Sequence, residues 1–176
     1  MKFIYSALVL VFLSSCGATV NVDYEKGLDW TVLKSYQFYT EMNSGLNDLD
    51  DTRIKKAIDS TLQKKTFQRT DYNQYYVSFF VQESLSNSKN TIGIGLGSGG
   101  GGISIGGGVG IPLGSKVINQ RMTIEFRKAT TGEKLVWQAE YDGELKEKAT
   151  PKQKEAYYDK VIPMMLKDFP PKENKK

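Results

Sequence analysis

The chain contains no histidine and a single cysteine, Cys16. Histidine is the side chain that most often serves as a general acid–base at neutral pH and as a metal ligand. Its absence, with one thiol, excludes Cys-His and Ser-His-Asp catalytic arrangements and the common zinc sites by inventory. Only carboxylate, lysine or tyrosine chemistry is left for catalysis. Long apolar runs are also missing. The stretch Phe3 to Leu13 is roughly half of the ~20 residues that a membrane-spanning helix needs. Charge of one sign is scarce too: 24 Lys and Arg against 20 Asp and Glu give a net +4. The two signs are mixed along the chain, whereas a nucleic-acid binder gathers its basic residues on one element. No nucleic-acid partner is expected.

The apolar stretch acquires a meaning from its flanks. Met1-Lys2 precedes it, and Leu13-Ser14-Ser15-Cys16 closes it. A charged start, a short apolar run and small residues at the cut form a secretory signal. A cysteine placed directly after them matches the lipobox of bacterial lipoproteins. Residues 1–15 are therefore expected to be a signal peptide, with Cys16 lipidated at the new N-terminus. Each buried methylene of an acyl chain contributes about 0.8 kcal/mol, and two or three chains hold firmly where one is marginal. Gly17 follows the cysteine, where an aspartate would retain an enterobacterial lipoprotein at the inner membrane. The expected location is the cell envelope, at the outer membrane and facing the periplasm.

Residues 16–171 have the length of one domain, and the polar tail 172–176 after Pro170-Pro171 is expected to be disordered. Val20, Val22 and Tyr24 alternate with polar residues, as in a half-buried strand, and Leu33 to Tyr39 reads as a second strand. Ile54, Ala57, Ile58, Thr61 and Leu62 form one face of an amphipathic helix from about Asp50 to Lys65. Asp48, Asp50 and Asp51 stand at its start, where carboxylates cap free N–H groups. Tyr75 to Val81 is aromatic and β-branched, a buried strand. Val117–Lys128 and Leu135–Tyr141 alternate around a turn at Gly132 and predict a hairpin. Thr150, Pro151 and Gln153 carry the signature of a capping box at the start of the last helix, within which Pro163 should kink or break the ladder. The fold expected is α+β, an antiparallel or mixed sheet in the order β-β-α-β-β-β-α with two helices on one face.

Between the third and fourth strands lies an insertion, residues 91–114, in which half the positions are glycine and none is charged. Ile92, Ile94, Leu96, Ile103, Ile105, Val109 and Ile111 alternate with glycine or serine on its two arms. Gly95-Leu96-Gly97-Ser98-Gly99-Gly100 fits a dinucleotide pattern, but no helix follows, and Gly114-Ser115-Lys116 lacks Walker spacing. Two readings stand: a flexible linker, or a hairpin whose apolar face meets a partner, a lipid surface or another strand.

The ordered set of segments resembles bacterial lipoproteins carrying the domain of unknown function 4136. It comprises Cys16 to Glu25, Asp29-Trp30 with Leu33 to Tyr36, Arg53 to Asp59, the glycine-rich stretch, Thr131 to Trp137, Thr150-Pro151-Lys152 and Phe169-Pro170-Pro171. The resemblance spans nearly the whole mature chain and implies a compact α/β domain on a lipid anchor in the bacterial envelope. It implies no activity.

Carboxylates give no sequence case for an enzyme. The aspartates at the first helix are explained as caps, and Asp142 and Glu144 flank Gly143 in a turn-like composition. Trp30 and Trp137 would suit a sugar or peptide groove, yet aromatic residues on alternating strand positions more often form core. The expected function is non-catalytic: a lipid-anchored module, without cofactor or metal, that binds an envelope protein or glycan. Self-association through the glycine-rich hairpin is the alternative, and a carboxylate hydrolase ranks last.

Overall fold

The structure is a computed structural model that describes residues 19–32, 34–87, 116–130 and 132–172. Cys16, the signal segment, residues 88–115 with the seven apolar positions from Ile92 to Ile111, and the tail from 173 onward lie outside the described residues.

Eight elements follow in order: β1 (Val20–Tyr24), β2 (Ser35–Phe38), α1 (Asp48–Lys64), β3 (Gln68–Arg69), β4 (Tyr75–Asn87), β5 (Lys116–Lys128), β6 (Leu135–Lys146) and α2 (Pro151–Met165). The strands form one mixed sheet in the order β1-β6-β5-β4-β2-β3. Pairing is antiparallel from β1 to β4 and parallel from β4 through β2 to β3. The α+β plan with two helices on one face is therefore as the sequence predicts, with the short β3 added.

Parallel pairing of β2 with β4 requires a crossover, and α1 supplies it. α2 returns from the end of β6 onto the same face. The two helices run in the same direction: Lys154 meets Asp50 near their starts, and Lys65 Nζ donates to the Lys167 carbonyl near their ends. Between helices and sheet lies the core: Tyr36 and Phe38 of β2, Tyr75, Val77, Phe79 and Val81 of β4, Met122, Ile124 and Phe126 of β5, and Trp137 and Ala139 of β6. Period-two alternation puts these on one side. Gln82, Ser84, Arg121, Glu140 and Asp142 point to the other side and are exposed. Phe169, beyond α2, closes the core; its ring stacks on Phe126 at 3.9 Å between centroids and meets Trp137 edge-on. Trp30 and Trp137 are both core residues, at 4% and 0% exposure, so neither presents its ring to a sugar.

Four local expectations change. α1 is capped by Asn47, whose side chain accepts from the Leu49 and Asp50 N–H groups. Asp50 instead turns inward, because Arg53 and Lys154 reach it there. Asp142, Gly143 and Glu144 are strand residues, held by pairing with Arg121, Gln120 and Asn119 of β5. β4 runs six residues past Val81 for the same reason, since β5 pairs with it to the Asn87–Lys116 position. α2 passes through Pro163 to Met165; Pro163 is exposed, so the hydrogen bond it cannot make lies on the solvent side. The capping box of Thr150 and Gln153 forms as its spacing predicts.

Candidate functional site

The register of the sheet brings several features to one end of the domain. β4 and β5 finish together there, with Asn87 opposite Lys116. Residues 88–115 therefore join two paired strand ends, which makes the glycine-rich insertion the connection of an antiparallel hairpin. β6 also finishes at this end, since Lys146 lies opposite Val117. β1 runs antiparallel to β6 and begins at Val20, opposite Tyr141, before descending to Tyr24 opposite Trp137. The chain thus enters the domain from the side on which the hairpin leaves it. Only Gly17, Ala18 and Thr19 separate Cys16 from β1. Both helices start toward this end as well, α2 directly after the turn that follows Lys146.

A buried polar seam stands just inside it. Asp50 Oδ2 accepts from Lys154 Nζ at 2.6 Å and Asn47 Nδ2 at 2.9 Å, and Oδ1 accepts from Arg53 at 2.6 Å. Burial works against the charged carboxylate, but the hydrogen bonds from Lys154, Asn47 and Arg53 outweigh it and hold Asp50 below the ordinary aspartate value. Beside it, Gln120 Nε2 donates to Glu83 at 2.6 Å and reaches the Tyr158 hydroxyl at 3.4 Å. Burial pushes the Tyr158 hydroxyl up to about 12, so it is a neutral donor and acceptor rather than a base. Gly143 belongs to this seam by close approach: a Cβ there would fall against the Tyr141 ring and within 2.7 Å of the Tyr157 hydroxyl.

On the opposite face of the sheet the ends of β4, β5 and β6 form an open groove of about 580 Å³, lined by Gln82, Ser84, Asn119, Arg121, Asp142 and Glu144. Arg121 clasps Asp142 with two hydrogen bonds, 2.8 and 3.3 Å long. These bonds, opposed by slight burial, hold the Asp142 carboxyl below its usual value. A general acid needs the reverse, a pKa raised toward the working pH. The groove offers hydrogen-bonding groups of both signs. Sequence reading missed it because Gln82 to Asn87 lacks the apolar content of a strand; the available signal was the polar alternation across Gln82, Ser84 and the facing Arg121. Among the described residues no cluster of three or more His, Cys, Asp or Glu is arranged to hold a metal, and no helix is long and apolar enough to cross a membrane.

Residues 20–171 match the family described as Domain of unknown function (DUF4136). Among solved structures, a PDZ domain protein from Parabacteroides distasonis ATCC 8503 superimposes with a TM-score of 0.54 at 14% identity, covering 89% of this chain and 36% of that one. The chain thus spans about a third of that protein's length. A PelC dodecamer from Paraburkholderia phytofirmans superimposes with a TM-score of 0.50 at 12% identity, over 85% of this chain and 95% of that one. At these identities the likeness is one of fold. No curated protein matches the chain.

Proposed function

The chain belongs to the DUF4136 family, and from that premise we propose that it is a lipid-anchored lipoprotein of the bacterial cell envelope. In this reading Cys16 carries the acyl chains after removal of residues 1–15, and the domain is a non-catalytic binding or assembly module. The observation that carries the proposal is the short link of three residues between Cys16 and β1, a strand that begins level with Tyr141, in mid-sheet, and runs away from the end where residues 88–115 emerge. An acylated cysteine so close to a folded strand holds the domain near the bilayer. The envelope partner, protein or glycan, is then met by the glycine-rich hairpin through Ile92, Ile94, Leu96, Ile103, Ile105, Val109 and Ile111, or by the polar sheet face. The outer membrane, periplasmic side, is the location that Gly17 favours.

The test is the intact mass of the protein recovered from bacterial membranes, beside Cys16→Ser. Lipidation predicts a wild-type chain that starts at Cys16 and carries acyl chains, both lost in the variant. A bare or uncleaved wild-type chain overturns it.

Self-association is the second reading, favoured by the PelC neighbour, which is a dodecamer and is covered over 95% of its length. Crosslinking in membranes separates the two. A ladder of regular multiples of this chain supports self-association, and a single heterologous product supports an envelope partner.

A further inference from the structure

β1 is the terminal strand on its side of the sheet, and its outer edge is unpaired among the described residues. The register fixes which backbone groups face outward. The Glu25 N–H donates to the Val136 carbonyl at 2.8 Å. By antiparallel alternation Asp23 and Asn21 also turn their backbone groups toward β6, and Val20, Val22 and Tyr24 turn theirs away from it. The Asp23 carboxylate accepts from the outward Tyr24 N–H at 2.8 Å. The outward N–H and C=O groups of Val20 and Val22 have no partner among the described residues. On the helix side the same strand walls a groove of about 500 Å³. Val22 and Tyr24 form one wall, and Phe169, Pro170 and Pro171 form the other. The charged lining is Lys65, Lys167 and Lys172 against Asp168 alone. Lys65 Nζ donates to the Lys167 carbonyl. Lys167 and Lys172 are exposed, and among the described residues neither is in an ion pair.

We propose that the β1 edge and its groove dock an extended peptide segment of an envelope protein, one with an apolar side chain and carboxylates two residues to either side of it. Val20 and Val22 present their unpaired groups about 6.8 Å apart, the two-residue repeat of a strand. Only a chain whose donors and acceptors recur at that interval satisfies both. A polypeptide strand has this repeat, and a glycan or a lipid headgroup does not. A strand added here pairs with Val20 and Val22 and stops at Tyr24, whose N–H is taken. Every second side chain of that strand falls on the helix side, over the groove. Main-chain bonds then hold the peptide, and the groove selects its side chains. Its apolar walls suit the central one, and its lysines suit acidic neighbours on the same side. This site depends on the binding-module reading above and narrows the partner to a polypeptide.

The test uses the full-length protein and synthetic, end-blocked heptapeptides in which threonine alternates with the groove-facing residues. The central groove-facing residue is phenylalanine, and its two same-side neighbours are both glutamate or both lysine. Calorimetric titration reads affinity, and amide exchange followed by nuclear magnetic resonance reads the edge. The glutamate peptide should bind on the order of tenfold tighter than the lysine peptide, the scale of two exposed ion pairs gained and two repulsions avoided. The ratio should shrink at high salt. Binding should slow exchange at Val20 and Val22 and leave Ile124 unchanged, and N-methylation of the peptide amides that face β1 should abolish it. Val22→Pro removes one outward N–H and spares the ladder with β6, since proline is tolerated where an edge N–H faces solvent. It should keep the fold and bind neither peptide. If that variant does not fold, K167Q/K172Q decides: it should still bind the glutamate peptide and lose the preference over lysine. No binding to wild type at millimolar peptide, or binding that leaves exchange at Val20 and Val22 unchanged, overturns the proposal. So does protection of these amides without peptide, which assigns the edge to a second copy if it grows with protein concentration, or to the chain's own tail if it vanishes in a chain ending at Lys172. Envelope crosslinks in membranes without peptide binding sink the edge alone. Peptide binding by a protein that yields no envelope crosslink sinks the module reading alone.

Discussion

Lys154 of α2 donates through Nζ to the carboxylate of Asp50 on α1 at 2.6 Å, across 104 positions of sequence. The Asp50 side chain is 3% exposed and Lys154 26%, so this pair ties the two helices near their starts with little help from solvent. Arg53, 20% exposed, completes a triad of one buried anion and two half-buried cations.

Removing the anion leaves two cations facing each other in a poorly solvated place. Asp50→Asn should destabilise the fold by about 3–5 kcal/mol, the usual cost of breaking a buried pair by deleting one partner. The pH dependence has a definite sign. The folded-state pKa of Asp50 lies below its unfolded value, so its stabilisation is complete above the unfolded value of about 3.9. It is lost as the pH falls through the folded value. Urea unfolding of wild type and Asp50→Asn from neutral to acid pH checks both claims: the gap between the two should narrow on acidification, and a constant gap contradicts the assignment.

Phe169 lies outside every helix and strand, yet it is 1% exposed and touches Trp30, Phe67, Phe126 and Trp137. Phe169→Ala should cost about 3–5 kcal/mol, the range for emptying a buried aromatic site. Thermal unfolding should show a large drop in midpoint, and Phe169→Leu should recover part of it by refilling volume. A midpoint unchanged by Phe169→Ala would mean that the segment after α2 does not close the core.

Gly45 sits at φ +81° in the segment that leads into α1, and a Cβ there would lie 2.6 Å from the Val81 carbonyl oxygen. Both facts oppose any side chain. The approach lets the Ser44 carbonyl accept from the Val81 N–H at 2.7 Å, which continues the pairing of β4 where β2 has ended. Gly45→Ala should destabilise by about 1–3 kcal/mol through backbone strain and the shift it forces. The measurement is denaturant unfolding, with amide exchange at Val81 expected to accelerate more than exchange at Ile124.

Asn87 and Lys116 are direct partners across the β4–β5 ladder, so the fold itself asks only for a tight turn between them. Replacing residues 88–115 with Asn-Gly, the pair best suited to a two-residue hairpin, should leave the far-ultraviolet dichroism of the sheet and the melting midpoint close to wild type. Under the proposed function the same variant should lose its envelope crosslinks. Loss of folding instead would show that the segment contributes to the core.

The amino-acid pattern alone determined the elements, because their signals are local. The apolar face of Ile54, Ala57, Ile58 and Leu62 marks α1, the alternation through Met122, Ile124 and Phe126 marks β5, and Thr150 with Gln153 marks the start of α2. Each of these depends on neighbours a few residues away, and each stands in the structure where its spacing put it. The family was legible for the same reason, since the order of short segments survives without any contact map. What only the tertiary structure decided depends on distant partners. Asp50 looks like a cap in its own helix and becomes the centre of an ion triad only because α2 brings Lys154 alongside. Gln82 to Asn87 has too little apolar content to read as a strand, and becomes one because β5 satisfies its backbone. Asp142-Gly143-Glu144 has the composition of a turn and is straightened by the same neighbour. Local preference is worth a few tenths of a kcal/mol per residue; paired backbone and a shared buried charge outweigh it wherever the chain returns to itself.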